Sequence, residues 1–267
     1  MSFRRDGFLE VDESGRIASI RQRHAPWFAF VEKLSRFSVS VLLTERRKVN
    51  EEVYLSTLYA RAVTMFQGLV RLAERGMGAE ARTLVRGCAE TAIALGCVRR
   101  DKGFFDRLDE DYDKHRIAVA NELLRLPEGD PNISTGQRAE LKKFVNDLAA
   151  QYTPPKPRRI NWAGAAVTAG MTDLYMTVYR ETSADAAHVS LKALERHLEI
   201  DSAGAITGFR FSPELEAVAD TLSAAIASLL HATEARLLGV GDAEADELLR
   251  SLTREWDSLV KSRVGTP

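Results

Sequence analysis

The sequence predicts an all-α protein, a helical bundle with one minor β-hairpin. Three observations carry that reading. Apolar residues recur at three- and four-residue intervals through most of the 267 residues. Thr91 to Val98 is apolar nearly all round, which marks a helix at the centre of a core. The clearest strand pattern is one short pair, Leu198-Glu199-Ile200 and Ile206-Thr207-Gly208-Phe209-Arg210-Phe211, joined by Asp201-Ser202-Ala203-Gly204-Ala205 as a turn.

Taken in order, Phe8 to Ile17 has the form of a second short hairpin, with Glu13-Ser14-Gly15 as its turn, or else of a loose arm. A helix is expected from Pro26 to about Arg47, because Trp27, Phe30, Val31, Leu34, Phe37, Val41 and Leu42 share a face. Asn50 suits an N-cap, with Glu51 and Glu52 in the first turn of a helix that runs to Gly76. Gly76-Met77-Gly78 is a turn, and the central helix follows from Ala79 to about Arg100. Asp101 is expected to cap a fourth helix through Leu126, and Ser134 a fifth to about Tyr152. Thr153-Pro154-Pro155-Lys156-Pro157-Arg158-Arg159 reads as an extended linker, since proline fixes the backbone and removes a donor. Asn161 caps a short helix over Trp162–Ala169, and a longer one spans Met171 to about Ala187. His188 to His197 continues that helix or forms a separate turn. Pro213 opens a helix to Leu238, ended by Gly239-Val240-Gly241, and Asp242 caps the last helix to about Lys261.

Composition bounds the function classes. A formal charge of −1 argues against a generic polyanion binder, although a local basic patch remains compatible with it. Cys88 and Cys97 fall on one helix roughly 13 Å apart, too far for a disulfide, and are read as buried thiols in a reducing compartment. No four-ligand Cys/His set is visible, so neither a metal nor another cofactor is expected. The amino-terminal Met1 to Asp6 lacks a signal-peptide core, and no apolar run approaches about 18 residues. The expectation is a cytoplasmic chain that does not span a membrane.

Chemistry concentrates in Tyr175 to His188. Tyr179, Arg180, Ser183 and His188 fall within this stretch. Arginine with histidine suits phosphodiester cleavage without a metal: the histidine moves a proton and the arginine stabilises phosphorane charge. Eight residues of ideal helix place Arg180 and His188 about 80° apart, so they converge only if the helix ends or bends first, or if they meet across a dimer. Ser183 lies four residues after Tyr179, on its face. The same residues also suit a structural reading, a helix-end histidine and a surface arginine.

Arg82, Arg86 and Glu90 form a polar stripe along the central helix at four-residue spacing. They either bridge helices as a structural pair or face the tyrosine–histidine helix and orient its groups. Asp109, Glu110, Asp111 and Asp113 read as a solvated helix start rather than a metal site. Lys156, Arg158 and Arg159, near Tyr152 and Trp162, make a small basic patch that suits RNA backbone or a plain exposed linker. His24, His197 and His231 stand apart from other reactive groups.

Two blocks carry a family resemblance. Ala81 to Ala92, with its Arg82, Arg86 and Glu90, is similar to the arginine–glutamate helix of an uncharacterised bacterial all-helical family. Val178-Tyr179-Arg180-Glu181-Thr182-Ser183, leading to Ala187-His188-Val189-Ser190, is similar to its second block. That family resembles the HEPN superfamily, whose signature is an arginine, a polar residue, four to six residues and a histidine. Arg180, Glu181, Thr182 to Ala187 and His188 fit its long form. The resemblance covers about residues 50–200 and implies a HEPN-like core over 49–200; outside it, the residue pattern gives an N-terminal arm and helix over 1–48 and a hairpin with a C-terminal helical pair over 201–267, expected to pack on the same domain. It implies a metal-independent endoribonuclease or a toxin or phage-defence effector, acting on RNA as a homodimer with an antitoxin or defence partner. Arg180, His188, Tyr179 and Ser183 would be the catalytic set, with Arg86, Glu90 and Arg82 behind them. A non-enzymatic helical interaction module, held together by the same polar cluster, is the alternative.

Overall fold

The computed structural model describes residues 3–10, 12–44, 50–152, 157–186 and 190–264. Helices dominate: α1 (Phe3–Asp6), α2 (Ser14–Arg23), α3 (Ala25–Leu43), α4 (Asn50–Ala73), α5 (Gly78–Arg100), α6 (Phe104–Leu124), α7 (Thr135–Ala149), α8 (Trp162–Ala169), α9 (Thr172–Leu174), α10 (Arg180–Ala186), α11 (Leu191–Glu195), α12 (Val218–Leu237) and α13 (Ala243–Val264). A 3-10 turn covers Gly7–Leu9, and a π-turn, Tyr175–Tyr179, links α9 to α10. Among the described residues the strands are one antiparallel pair, β1 (Leu198–Ile200) and β2 (Ile206–Phe209), with Leu198 opposite Phe209 and Ile200 opposite Ile206. The fold is all-α with a minor hairpin, as the periodicity predicts.

The chain forms two compact units, residues 1–100 with 166–267, and residues 101–165. In the first, α5 is the central helix, packed by α4 and α12. Thr91 to Val98 is buried at every position, so the all-round apolar stretch does sit in the middle of the core. Leu55, Tyr59, Phe66 and Leu69 of α4 and Leu222, Ile226 and Leu229 of α12 close over it. Cys88 and Cys97 are buried free thiols there. Gly96 lets α5 approach its neighbours closely, because a Cβ at Gly96 would lie 2.9 Å from the Ala169 Cβ. The carboxylate of Glu74, almost wholly buried after α4, is matched by Arg21 at 2.9 Å, Arg71 at 3.0 Å and Arg75 at 3.1 Å, which offsets its desolvation.

The second unit pairs α6 with α7. Ser134 and Gln137 form a full capping box at the start of α7. Asp101 acts two residues before the Gly103 cap, accepting from the Gly103 N–H at 3.0 Å.

Three expectations are corrected. Residues 14–23 are helical rather than a hairpin arm: Asp12 accepts from the Ser14 N–H at 3.1 Å, so the turn chemistry starts a helix, and Ile20 anchors it in the core. Pro213 does not open α12, which begins at Val218. It packs instead on Gly76, which has a φ of +77° and where a side-chain Cβ would stand 2.6 Å from the Pro213 Cβ, so the position demands glycine. The helix expected over Met171 to about Ala187 runs unbroken over the described residues 172–186, but it is not α-helical throughout and carries the π-turn in its middle.

Candidate functional site

The site is built where α5 meets the π-turn and α10, all within the first unit. Four-residue spacing on α5 stacks Arg82, Arg86 and Glu90 on one side of that helix. The same spacing puts Tyr175, Tyr179 and Ser183 together on the opposing segment. Arg86 reaches across: its Nε donates to Ser183 Oγ at 3.1 Å and its Nη2 to the Tyr179 hydroxyl at 3.2 Å. The guanidinium also lies 5.1 Å from the Tyr179 ring centroid, a cation–π contact. Glu90 Oε2 stands 3.8 Å from Arg86 Nη2 and completes the charge balance. Tyr175 stacks on Tyr179 with centroids 5.2 Å apart and planes 18° from parallel.

The backbone of this segment is held by its own hydroxyls. Ser183 Oγ donates to the Tyr179 carbonyl at 2.5 Å, and buried Thr182 Oγ1 donates to the Val178 carbonyl at 2.7 Å. These bonds satisfy carbonyls around a turn that closes with the Arg180 N–H on the Tyr175 carbonyl, five residues back. Burial raises the Tyr179 phenol above its ordinary range, against the lowering pull of the Arg86 hydrogen bond. Tyr179 is therefore a neutral phenol at neutral pH.

Arg180 does not join this cluster. It is exposed, and Met176 Sδ at 3.9 Å is its side-chain contact. One residue of helix rotates it about 100° away from Tyr179, so Tyr179 and Ser183 face α5 while Arg180 faces solvent. Glu181 is also exposed. Arg82 is buried on α5, with 9% of its surface accessible. The structure thus brings Arg86, Glu90, Tyr179 and Ser183 together and sets Arg180 beside them. His188 lies outside the described residues, as does Lys156. Ser190 Oγ, just beyond, donates to the Ala184 carbonyl at 2.6 Å, and Ser190 caps α11.

Arg158 and Arg159 are engaged within the second unit. Arg158 Nε meets Glu110 Oε1 at 3.1 Å, and Arg159 Nη1 meets Asp111 Oδ2 at 3.6 Å. The Arg158 hydrogen bond holds the Glu110 carboxyl below its usual range. Tyr152 donates its hydroxyl to Asp113 Oδ2 at 2.7 Å, which pushes that phenol up to about 12. The acidic row of α6 thereby tethers the segment after α7. Among the described residues no group of three or more His, Cys, Asp or Glu side chains is placed to hold a metal ion, and no helix is long and apolar enough to cross a membrane.

Tyr175 and Thr182 lie in the stretch the sequence singles out, but sequence reasoning assigned neither a role. The four-residue interval between Tyr175 and Tyr179 was a usable signal for the first. Thr182 carried none, because a threonine bonding back to its own helix has no distinctive spacing.

Residues 52–205 match the model of a family of unknown function, DUF5677. The chain belongs to that family. The DUF5677 match runs from the first turn of α4 to the turn after β1 and contains every residue of the cluster. It also contains the whole second unit, whereas α3, α12 and α13 lie outside it. No curated protein and no solved structure matches this DUF5677 chain.

Proposed function

We propose that this protein is a HEPN-like, metal-independent endoribonuclease, a toxin or phage-defence effector that works as a homodimer. The observation that carries the reading is the division of labour between two arginines. Arg86 is committed to fixing Tyr179 and Ser183, while Arg180, next in the chain after Tyr179, projects to solvent without a carboxylate against it among the described residues. A cation presented this way, at the junction of a braced turn and α10, suits a phosphate.

In the proposed reaction His188 takes the proton of a ribose 2′-hydroxyl as the oxygen attacks the adjacent phosphorus. The P–O5′ bond breaks, a 2′,3′-cyclic phosphate forms, and the leaving 5′-oxygen takes a proton from water, to which His188 then returns the one it removed. Arg180 stabilises the charge on the non-bridging oxygens. Tyr179 and Ser183, held by Arg86 with Glu90 and Arg82 behind, keep the turn in place. The second copy supplies another Arg180/His188 set to the same strand.

The test is single-stranded RNA incubated with the full chain in excess chelator. Cleavage to cyclic-phosphate ends, abolished in Arg180→Ala and His188→Ala, is the expected result. One observation favours a second reading, a non-enzymatic interaction module: Arg86 is already satisfied by Tyr179, Ser183 and Glu90, as a structural bridge would be. Folded protein that leaves RNA intact, with Arg86 substitutions that only lower stability, would favour that module.

A further inference from the structure

Tyr175 is the outer member of the aromatic pair. Arg86 packs on Tyr179, and Tyr179 carries Tyr175. Tyr175 itself is half-buried, and among the described residues Tyr179 is its one ring contact and its hydroxyl bonds to nothing. A phenol in a core finds a partner for its hydroxyl; one left open at the end of a stack offers both a π-face and a hydrogen-bonding group.

The π-turn decides what lies next to that face. In a regular α-helix five residues turn a side chain by about 500°, which would leave Tyr175 and Arg180 about 140° apart. Here the Arg180 N–H closes on the Tyr175 carbonyl, so the turn completes after five residues and brings the two toward one side. The outer member of the stack, half-buried Tyr175, and the exposed Arg180, which no carboxylate meets among the described residues, are thus one π-turn apart in the backbone.

We infer that Tyr175 is a base-stacking platform of a single-stranded RNA site, with Arg180 contacting a phosphate of the same strand. This rests on the ribonuclease reading and adds to it the subsite that holds a nucleobase. Stacking is tolerant of base identity, because every base has a π-face. The platform therefore confers preference for unpaired over paired strands rather than for a sequence, since a base within a duplex is already stacked on both sides. The braced Arg86–Tyr179 pair behind Tyr175 makes it a rigid surface, which lowers the ordering cost of binding.

The experiment measures binding of a fluorescein-labelled oligouridylate by the full chain in the His188→Ala background, in chelator. A ribose-phosphate strand of the same length without bases serves as comparison. Tyr175→Leu is expected to weaken the oligouridylate by about tenfold, with Tyr175→Phe and Tyr175→Trp close to the parent. The abasic strand should be indifferent to all three. A 4-thiouridine strand, photo-crosslinked to the parent chain and mapped by mass spectrometry, should mark Tyr175, a result that does not depend on any variant folding. Equal binding by Tyr175→Leu, or crosslinks that map only elsewhere, overturns the platform and leaves the ribonuclease reading standing. Folded protein that binds no strand removes both.

Discussion

Arg86 donates from Nη2 to the Tyr179 hydroxyl at 3.2 Å while its guanidinium lies 5.1 Å from the centre of the same ring. One side chain thus grips another by its edge and its face. With Nε committed to Ser183, the guanidinium fixes the junction of the π-turn and α10 against α5. Arg86→Met is expected to lower unfolding stability by about 1–2 kcal/mol, the lower part of the range for charge-assisted bonds because the group is part-exposed. Arg86→Lys should recover less than half, since an ammonium cannot serve Ser183 and Tyr179 from one planar fork. Urea titration checks both, and equal stability of all three forms would contradict the bridge.

Arg180 predicts the opposite pattern. It is exposed and its contact is a methionine sulfur, so Arg180→Ala should change stability by no more than about 0.5 kcal/mol. RNA cleavage should nevertheless disappear. A variant that melts early and cleaves normally would move Arg180 from the reaction to the scaffold.

Glu181 sits next to that cation and is also exposed. A carboxylate near a bound phosphate repels it, so Glu181→Gln should tighten RNA binding several-fold at low salt. The gain should shrink as salt rises, which a binding series across ionic strength reads directly. Weaker binding by Glu181→Gln would mean that the carboxylate orients Arg180 instead.

Alkaline pH probes the core. Burial pushes the Cys88 thiol up to about 12 and raises the Tyr59 and Tyr179 phenols. A raised folded-state value means the native state keeps protons that the unfolded chain releases. These groups' contribution is whole below the unfolded values and falls as pH climbs through the folded ones. Stability should therefore decline from about pH 9 upward, where unfolded thiols begin to ionise. Cys88→Ala should flatten the first part of that decline in melting curves recorded across alkaline pH. An unchanged slope would contradict the buried, protonated thiol.

Gly76→Ala should cost more than its size suggests. The substitution meets both a φ of +77° and the Pro213 ring. A loss of about 2 kcal/mol or more in thermal or urea unfolding is expected, whereas Gly136→Ala, in α7 with open space around it, should be neutral or stabilising.

Much of the fold was legible because burial follows helical period. The face from Trp27 to Val41, the apolar run Thr91 to Val98, and the caps at Ser134 and Asp242 all read directly from residue type and spacing. Asp12, Ser14 and Gly15 were ambiguous, because the groups that close a turn also start a helix. Pro213 misled for a related reason: proline is as much at home in the extended segment over Gly76 as at a helix start. At the site, the pairing of Tyr179 with Ser183 followed from four-residue spacing, and the stripe of Arg86 and Glu90 was visible on α5. That this stripe faces them was one of two readings the spacing left open, because α5 and α10 are nearly a hundred residues apart in the chain. The π-turn left no mark in the sequence at all, since one extra residue per turn is decided by what the turn packs against.

The place of α12 in the core carries a consequence for how the molecule is made. Every cluster residue from Arg82 to Ser183 leaves the ribosome before Val218 begins the helix that closes over α4 and α5. At typical synthesis rates the central helix waits roughly ten seconds for its last wall. During that interval the apolar side of α5 that α12 covers lacks its partner helix. Translation thereby sets an order of assembly: the residues of the Arg86–Tyr179 bridge are all made before the helix that closes the core around α5.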